Sequence, residues 1–305
     1  MNRLLCFLLL ALASLTPLSS EPLDKTRIAA DAKWLLHLDV DLLRAGEMGR
    51  YLIDELLADQ TAEAQADLKR DLDIEIDWKQ VHSITLYGTE AQPEKDANGL
   101  LIIHTTLDVK SALNAAAKKV NPLWSVEVIE TGPSPLYGIN RQAYLRLLPD
   151  HRVLVGKTQQ AVDRGLAVLN HQRPNLAESN ALAGYPDAPF GFFLMATGEG
   201  FAEQTAMPPS AAILKQAEGA RLLVGEETGR VRLDLCIKTA GPEVAQKIWQ
   251  VGQGLLALTA LNAGQNPDLQ QWLNGARVTT DDNKVSLGLS VPIANVVKKI
   301  SEQKP

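Results

Sequence analysis

ARLLVGEETGRVRLDLCIKTAGPEVAQKIWQVGQGLLALTALNA, residues 220–263, reads as a β-hairpin followed by a long helix. Leu222 to Gly225 begins the first strand, Glu226-Glu227-Thr228-Gly229 turns it, and Val231 to Lys238 returns. In the return strand Val231, Leu233, Leu235 and Ile237 alternate with Arg232, Asp234, Cys236 and Lys238. Successive side chains point to opposite faces, so one face is apolar and the other polar. Gly229 suits the positive φ that closes a short hairpin loop. Pro242 in the first turn and Glu243 near the positive helix end open a helix that runs to about Leu261. Val244, Ile248, Val251, Leu255 and Leu258 recur at steps of four and three, one stripe expected to lie on the apolar face of the hairpin. Gly252 and Gly254 inside the helix cost about 1 kcal/mol each relative to Ala. Close contact with the sheet and a weak helix centre are both open readings of that pair.

A similar hairpin-plus-helix occurs at His82 to Asn121. Around the two units the chain reads as two matching halves. In the first, Trp34–Val40 is a strand and Asp41 caps a helical region carrying Met48, Leu52 and Leu56. A second helical stretch covers Thr61–Leu72, and the hairpin is His82–Thr89 with Gly99–Thr106. Asp108 then caps a helix, strands follow near 125–130, 142–148 and 152–156, and Thr158–Asn170 closes. In the second half Phe190–Thr197 is a strand and Gly200–Ala217 is helical in part. The organising hairpin and helix follow. Pro267–Leu273 is then a short helix, Arg277–Thr280 and Lys284–Ser290 a hairpin, and Pro292–Glu302 the closing helix. The order strand, helix, hairpin, helix, strand predicts an α+β fold of two diverged ferredoxin-like (split βαβ) repeats, with antiparallel sheets and helices on one face. The expected boundaries are a signal peptide at 1–20, an N-terminal tether at 21–32, a first repeat at 33–171, a linker at 172–189 and a second repeat at 190–303. The linker reading rests on Pro174, Pro186, Pro189 and Gly184.

With 305 residues, 46% of them hydrophobic, the chain can bury a substantial core. A net charge of −6 and 5% aromatic residues argue against a nucleic-acid footprint and against base-stacking platforms. Met1 to about Ser20 has the pattern of a secretory signal peptide: Arg3, an apolar run from Leu4 to Leu15, and small residues Ser19 and Ser20 at a plausible cut. Cleavage would remove Arg3 and Cys6, leaving a net charge of −7 and Cys236 as the lone thiol, so no disulfide could form within the mature chain. No later stretch has the length of a transmembrane helix. The expected location is exported, periplasmic or extracellular.

The segment Leu72-Asp73-Ile74-Glu75-Ile76-Asp77-Trp78-Lys79-Gln80-Val81-His82-Ser83-Ile84-Thr85-Leu86-Tyr87-Gly88 resembles a stretch in a family of exported bacterial proteins of unknown function, in which D-x-x-x-D-V-x-S-x-T-x-Y-G enters a strand. The lead into Leu36-His37-Leu38-Asp39 is similar to their start. Gln80 stands where that family commonly has an acidic residue. The resemblance implies export and this architecture. It brings no established activity, so no catalytic residue is carried over.

Asp71, Asp73, Glu75 and Asp77 alternate like a calcium loop, but Ile76 stands where glycine is needed and His82 where glutamate is needed. His37, Asp39, His82 and His104 are candidates to converge on one sheet, a plausible zinc set, against the plainer reading of half-buried histidines. Cys236, among Arg232, Asp234 and Lys238, is a candidate reactive thiol, against the plainer reading of a bystander. There is no G-x-S-x-G elbow, H-E-x-x-H, C-x-x-C, phosphate loop or dinucleotide fingerprint. The expected function is a non-enzymatic exported interaction or scaffold module with no cofactor. It would present Ser83, Thr85, Tyr87, Arg232 and Lys238 on open sheet faces to another envelope protein or to a second copy. The alternatives are a small-ligand or peptide binder with its site between the repeats, and a hydrolase without a known motif.

Overall fold

The computed structural model describes residues 21–56, 77–91, 97–118, 125–200, 216–264 and 267–302, with isolated residues between 62 and 70. The signal-like residues 1–20, most of the Thr61–Leu72 stretch, the calcium-like run at 71–76 and most of 200–217 lie outside the described residues. In chain order the first half forms β1 (Trp34–Asp39), α1 (Val40–Ala45), α2 (Glu47–Tyr51), β2 (Val81–Gly88), β3 (Leu100–Thr105), α3 (Val109–Ala117), β4 (Val126–Glu130), β5 (Leu136–Ile139), β6 (Ala143–Leu147), β7 (Arg152–Gly156) and α4 (Gln159–Leu169). The second half forms β8 (Leu194–Glu199), β9 (Ala217–Glu227), β10 (Arg230–Thr239), α5 (Pro242–Asn262), α6 (Pro267–Asn274), β11 (Ala276–Asp281), β12 (Lys284–Pro292) and α7 (Ile293–Ser301).

All twelve strands belong to one sheet, ordered β11-β12-β10-β9-β8-β1-β2-β3-β7-β6-β5-β4. The organising hairpin pairs from Arg230 with Glu227 through Lys238 with Gly219. Its two-residue turn, Thr228 and Gly229, has φ of 50° and 71°. Two positive φ values in succession match the right-handed twist of the flanking strands.

This sheet overturns the expectation of two ferredoxin-like repeats. A split βαβ unit sets its first strand parallel to a later one across a helical crossover. Here every pairing is antiparallel, and the neighbours of β1 are β2 and β8. After β1 the chain enters two helices of six and five residues, and the first of them packs against β2. The next strand therefore returns beside β1 instead of crossing over. The two halves do share one strand order, β1-β2-β3-β7-β6 and β8-β9-β10-β12-β11, and they meet edge to edge at β1 and β8.

The expectation of helices on one face is also corrected. Val153 and Leu154 are neighbours on β7 and point to opposite faces. Leu154 packs with Leu35, Tyr87, Leu100 and α4's Val162 and Val168. Val153 packs with Tyr137, Leu147 and α3's Leu113. So α4 covers one face while α3 covers the other, and α5 covers the same side as α3 further along, over Ile237, Val278 and Val285. Gly165 lets α4 sit close, because a Cβ there would lie 2.2 Å from Leu100 Cδ2.

The residues expected as a tether and a linker complete the α4 face. Ile28, Ala29 and Ala32 are buried at 3% exposure or less, and Leu176 and Leu182 lie in the same cluster. The two segments bond to each other: Leu176 N donates to Ile28 O at 2.8 Å, Ala30 N to Pro174 O at 3.2 Å, and Ser179 Oγ to Ala30 O at 2.7 Å.

Because the halves share a sheet, unfolding in denaturant is expected to be a single transition. Leu35, 2% exposed on β1, is expected to lose about 2–5 kcal/mol on Leu35→Ala while keeping that one transition. Two separate transitions in a denaturation curve would contradict the continuous sheet.

Candidate functional site

The register places His37, Ser83, Thr85, Tyr87 and His104 on one face of β1, β2 and β3, the face that α4 and the N-terminal segment cover. That face is not open. Ser83 and Tyr87 are 6% and 2% exposed, so they do not form a free contact surface. Burial pushes the Tyr87 phenol up to about 12.

The residue that gathers this face is Glu21. Its Oε2 accepts from Ser83 Oγ at 2.7 Å and lies 2.5 Å from His104 Nδ1. Its Oε1 accepts from Arg27 Nη1 at 2.9 Å and from Arg152 Nη2 at 3.1 Å. Burial by itself would raise this carboxyl. The Ser83, Arg27 and Arg152 hydrogen bonds and the His104 charge outweigh it and bring Glu21 down to about 2. The backbone carbonyl of Glu21 accepts from His37 Nε2 at 3.2 Å, which leaves Nδ1 to accept from Thr85 Oγ1 at 2.9 Å. Burial lowers the His37 pKa against the pull of Asp39, so its imidazole is neutral at pH 7.

The other zinc candidates are occupied differently. Asp39 Oδ1 caps α1 by accepting from Leu42 N at 2.8 Å. A β-bulge between Val81 and Ser83 frees His82 from the ladder. Its Nδ1 meets Asp41 Oδ2 at 2.8 Å, and its ring lies 5.1 Å from that of His104. Among the described residues no three His, Cys, Asp or Glu side chains are grouped to hold a metal ion.

Arg232 and Lys238 share this face of the sheet, but they stand on β10, four strands from β2. At about 4.8 Å per strand that is roughly 19 Å, so the five predicted surface residues do not come together. Arg232 pairs with Glu227 and stacks 5.1 Å from the Phe190 ring centre. Lys238 is half-buried beside Gly184. Cys236 is fully buried, and that burial pushes its thiol up despite Ser286 and Arg221, which fits the plainer reading of a bystander.

The apolar stripe of α5 is divided. Val244 and Ile248 pack on the sheet as expected, whereas Val251, Leu255, Leu258 and Leu261 are 51%, 60%, 59% and 80% exposed. The first half of α5 is fixed to β11: Trp249 Nε1 and Gln253 Nε2 donate to Val278 O at 3.2 and 3.1 Å. Gly252 allows that approach, since a Cβ there would meet Val278 Cγ1 at 3.2 Å, but a Cβ on Gly254 would meet nothing within 4 Å. The side that meets the sheet carries Ala245, Ile248, Trp249, Gly252 and Leu256, so the stripe of Val251, Leu255 and Leu258 lies to the outer side of the helix. No charged residue occurs between Lys247 and Asp268.

No protein-family model matches the chain, and no curated protein sequence is similar to it. Solved structures of TP0453, a Treponema protein, are similar. Crystal form III superposes with a TM-score of 0.51 at 10% identity, covering 92% of this chain and 99% of that one. Crystal form I gives 0.49 at 9% identity, covering 93% and 98%. The likeness to form III is one of fold.

Glu21's folded pKa, about 2, lies below its ordinary 4.5. Its stabilisation is therefore complete above pH 4.5 and lost as pH falls towards 2, up to about 3 kcal/mol in all. Glu21→Gln is expected to cost roughly 2–4 kcal/mol at pH 7 and to flatten that acid limb. An unchanged pH–stability curve would contradict the clasp.

Proposed function

We propose that this chain is an exported, non-enzymatic module of the bacterial envelope that binds a partner protein through the outer face of α5. The observation that carries the reading is the run of exposed Val251, Leu255, Leu258 and Leu261 on a helix stretch without charge. Contiguous apolar surface on a folded chain is characteristic of interaction sites. Aliphatic side chains on one helical stripe suit insertion into an apolar groove of a partner. Export is supported by the signal-like pattern of residues 1–20 and by the resemblance of residues 72–88 to exported bacterial proteins. No described helix is long and apolar enough to cross a membrane. The sequence lacks the common catalytic signatures, which favours binding over catalysis.

The test is a cross-linked pull-down from the native envelope with the chain Glu21–Pro305 and its Leu255→Glu/Leu258→Glu double variant. Both changes are at exposed positions, so folding is expected to be unchanged. The wild type is expected to recover one stoichiometric protein, and the variant at least about tenfold less of it. Equal recovery by both, or recovery of bait alone, would contradict the proposal. A wild-type dimer in sedimentation that the double variant abolishes would reassign the face to self-association.

A further inference from the structure

Where the halves meet, residues 182–185 and the N-terminal segment roof a cavity of about 140 Å³ over β1, β8 and β9. One part of its wall is aliphatic: Leu35, Leu176, Leu182 and Met195. Another part is Arg221 and the Tyr185 it stacks on, with its guanidinium carbon 5.3 Å from the ring centre. Arg221 is 8% exposed. Its Nη1 donates to Pro186 O at 2.7 Å, so the ring and this bond together fix the guanidinium plane.

Nε and Nη2 of Arg221 are buried and have no hydrogen-bond partner among the described residues. These two N–H groups form one edge of the guanidinium, the edge that meets both oxygens of a carboxylate. A buried cation with half its donors unmet is costly unless something pairs with it. No neighbouring acid is hydrogen-bonded to that edge among the described residues. Among the described residues no ion pair or hydrogen bond joins Asp234 to Arg221; the two attract only at a distance, and burial pushes the Asp234 carboxyl up in spite of Arg221 and Arg277. Glu199 Oε1 accepts from the Leu182 amide at 3.0 Å. Lys25, also on the cavity wall, adds a second positive charge.

We propose that this cavity binds a small aliphatic monocarboxylate, its two oxygens taken by the Nε and Nη2 edge of Arg221 and its tail lying against Leu35, Leu176, Leu182 and Met195. The cavity has room for a short chain and not for a long one. Trapped water is the competing occupant, and it would show no preference for a carboxylate with a tail. The site is independent of α5, so either proposal can fail without the other.

Calorimetric titration of hexanoate, and separately of hexan-1-ol, into the chain Glu21–Pro305 tests it. That chain holds every described element. The wild type is expected to bind hexanoate saturably at one site with a raised Tm, and hexan-1-ol at least about tenfold more weakly. Arg221→Lys keeps the charge but loses the fork and is expected to weaken hexanoate at least about tenfold, and Arg221→Met to abolish it. No saturable hexanoate binding by the folded wild type, equal binding of the alcohol, or unchanged affinity in Arg221→Met would overturn the proposal. The acid–alcohol comparison needs only the wild type, so it decides even where a variant does not fold.

Discussion

β1 is hydrogen-bonded along both edges, to β2 on one side and β8 on the other, and this double pairing makes two halves into one sheet. The junction extends past the ladder. Glu199 N donates to Lys33 O at 2.9 Å, Lys33 N to Gly88 O at 2.8 Å, and Asp39 N to Phe193 O at 2.8 Å. An inner strand needs partners for every backbone group, and in an antiparallel sheet one covered face is enough. In Trp34 to Asp39 the covered face carries Leu35, His37 and Asp39, all at 2% exposure, while Leu36 on the other face is 37% exposed. Pairing and packing thus fix where β8, and with it the second half, must lie.

The polar residues on that face set a second constraint. His37 and Ser83 stand where the core needs apolar groups or satisfied ones. Glu21 supplies the satisfaction with its carboxylate and its carbonyl, and brings Arg27 and Arg152 with it. The N-terminal segment is thereby held on the sheet, and the 171–193 segment is laid against it through Ala29 and Asn175. The roof of the Arg221 cavity is made from these same two segments. On the opposite face α5 lies on the sheet through Ala245, Ile248 and Leu256 and turns Leu255, Leu258 and Leu261 to solvent.

Most elements were legible in the sequence, because each is set by local pattern. The alternation in Val231–Lys238, Gly229 at the turn, Asp108 as a cap and Pro242 in the first turn all act within a few residues. The topology was not. The order strand, helix, hairpin, helix fits both a crossover and an antiparallel return, and the choice lies in which edge of β1 each strand meets. β5 was missed because Leu136–Ile139 is four residues long and begins just after Pro133 and Pro135. Glu21 carried no signal, since its partners come from β2, β3 and β7, more than 60 residues away, and from Arg27 in a segment with no regular pattern. The α5 stripe was correct as a periodicity and wrong as to its cover, because small residues, Ala245 and Gly252, flank it on the side that meets the sheet, and periodicity of large apolar residues does not register them. Arg221 reads as an ordinary charged residue on a strand. Its buried, unpartnered donor edge is a consequence of the fold alone.

Amide hydrogen exchange on the chain Glu21–Pro305, resolved to β1 and β8, tests the continuous sheet most directly. If the two halves are one sheet, amides of Leu35, His37, Met195 and Thr197, which alternate in step with the Asp39–Phe193 and Glu199–Lys33 bonds across the junction, exchange only through global opening, as slowly as those of Leu154 and Leu223 in the two cores. If instead the β1 and β8 amides facing each other exchange quickly while both cores stay protected, the halves are separate bodies. The shared face, the roofed cavity and the placement of α5 would then all have to be abandoned together.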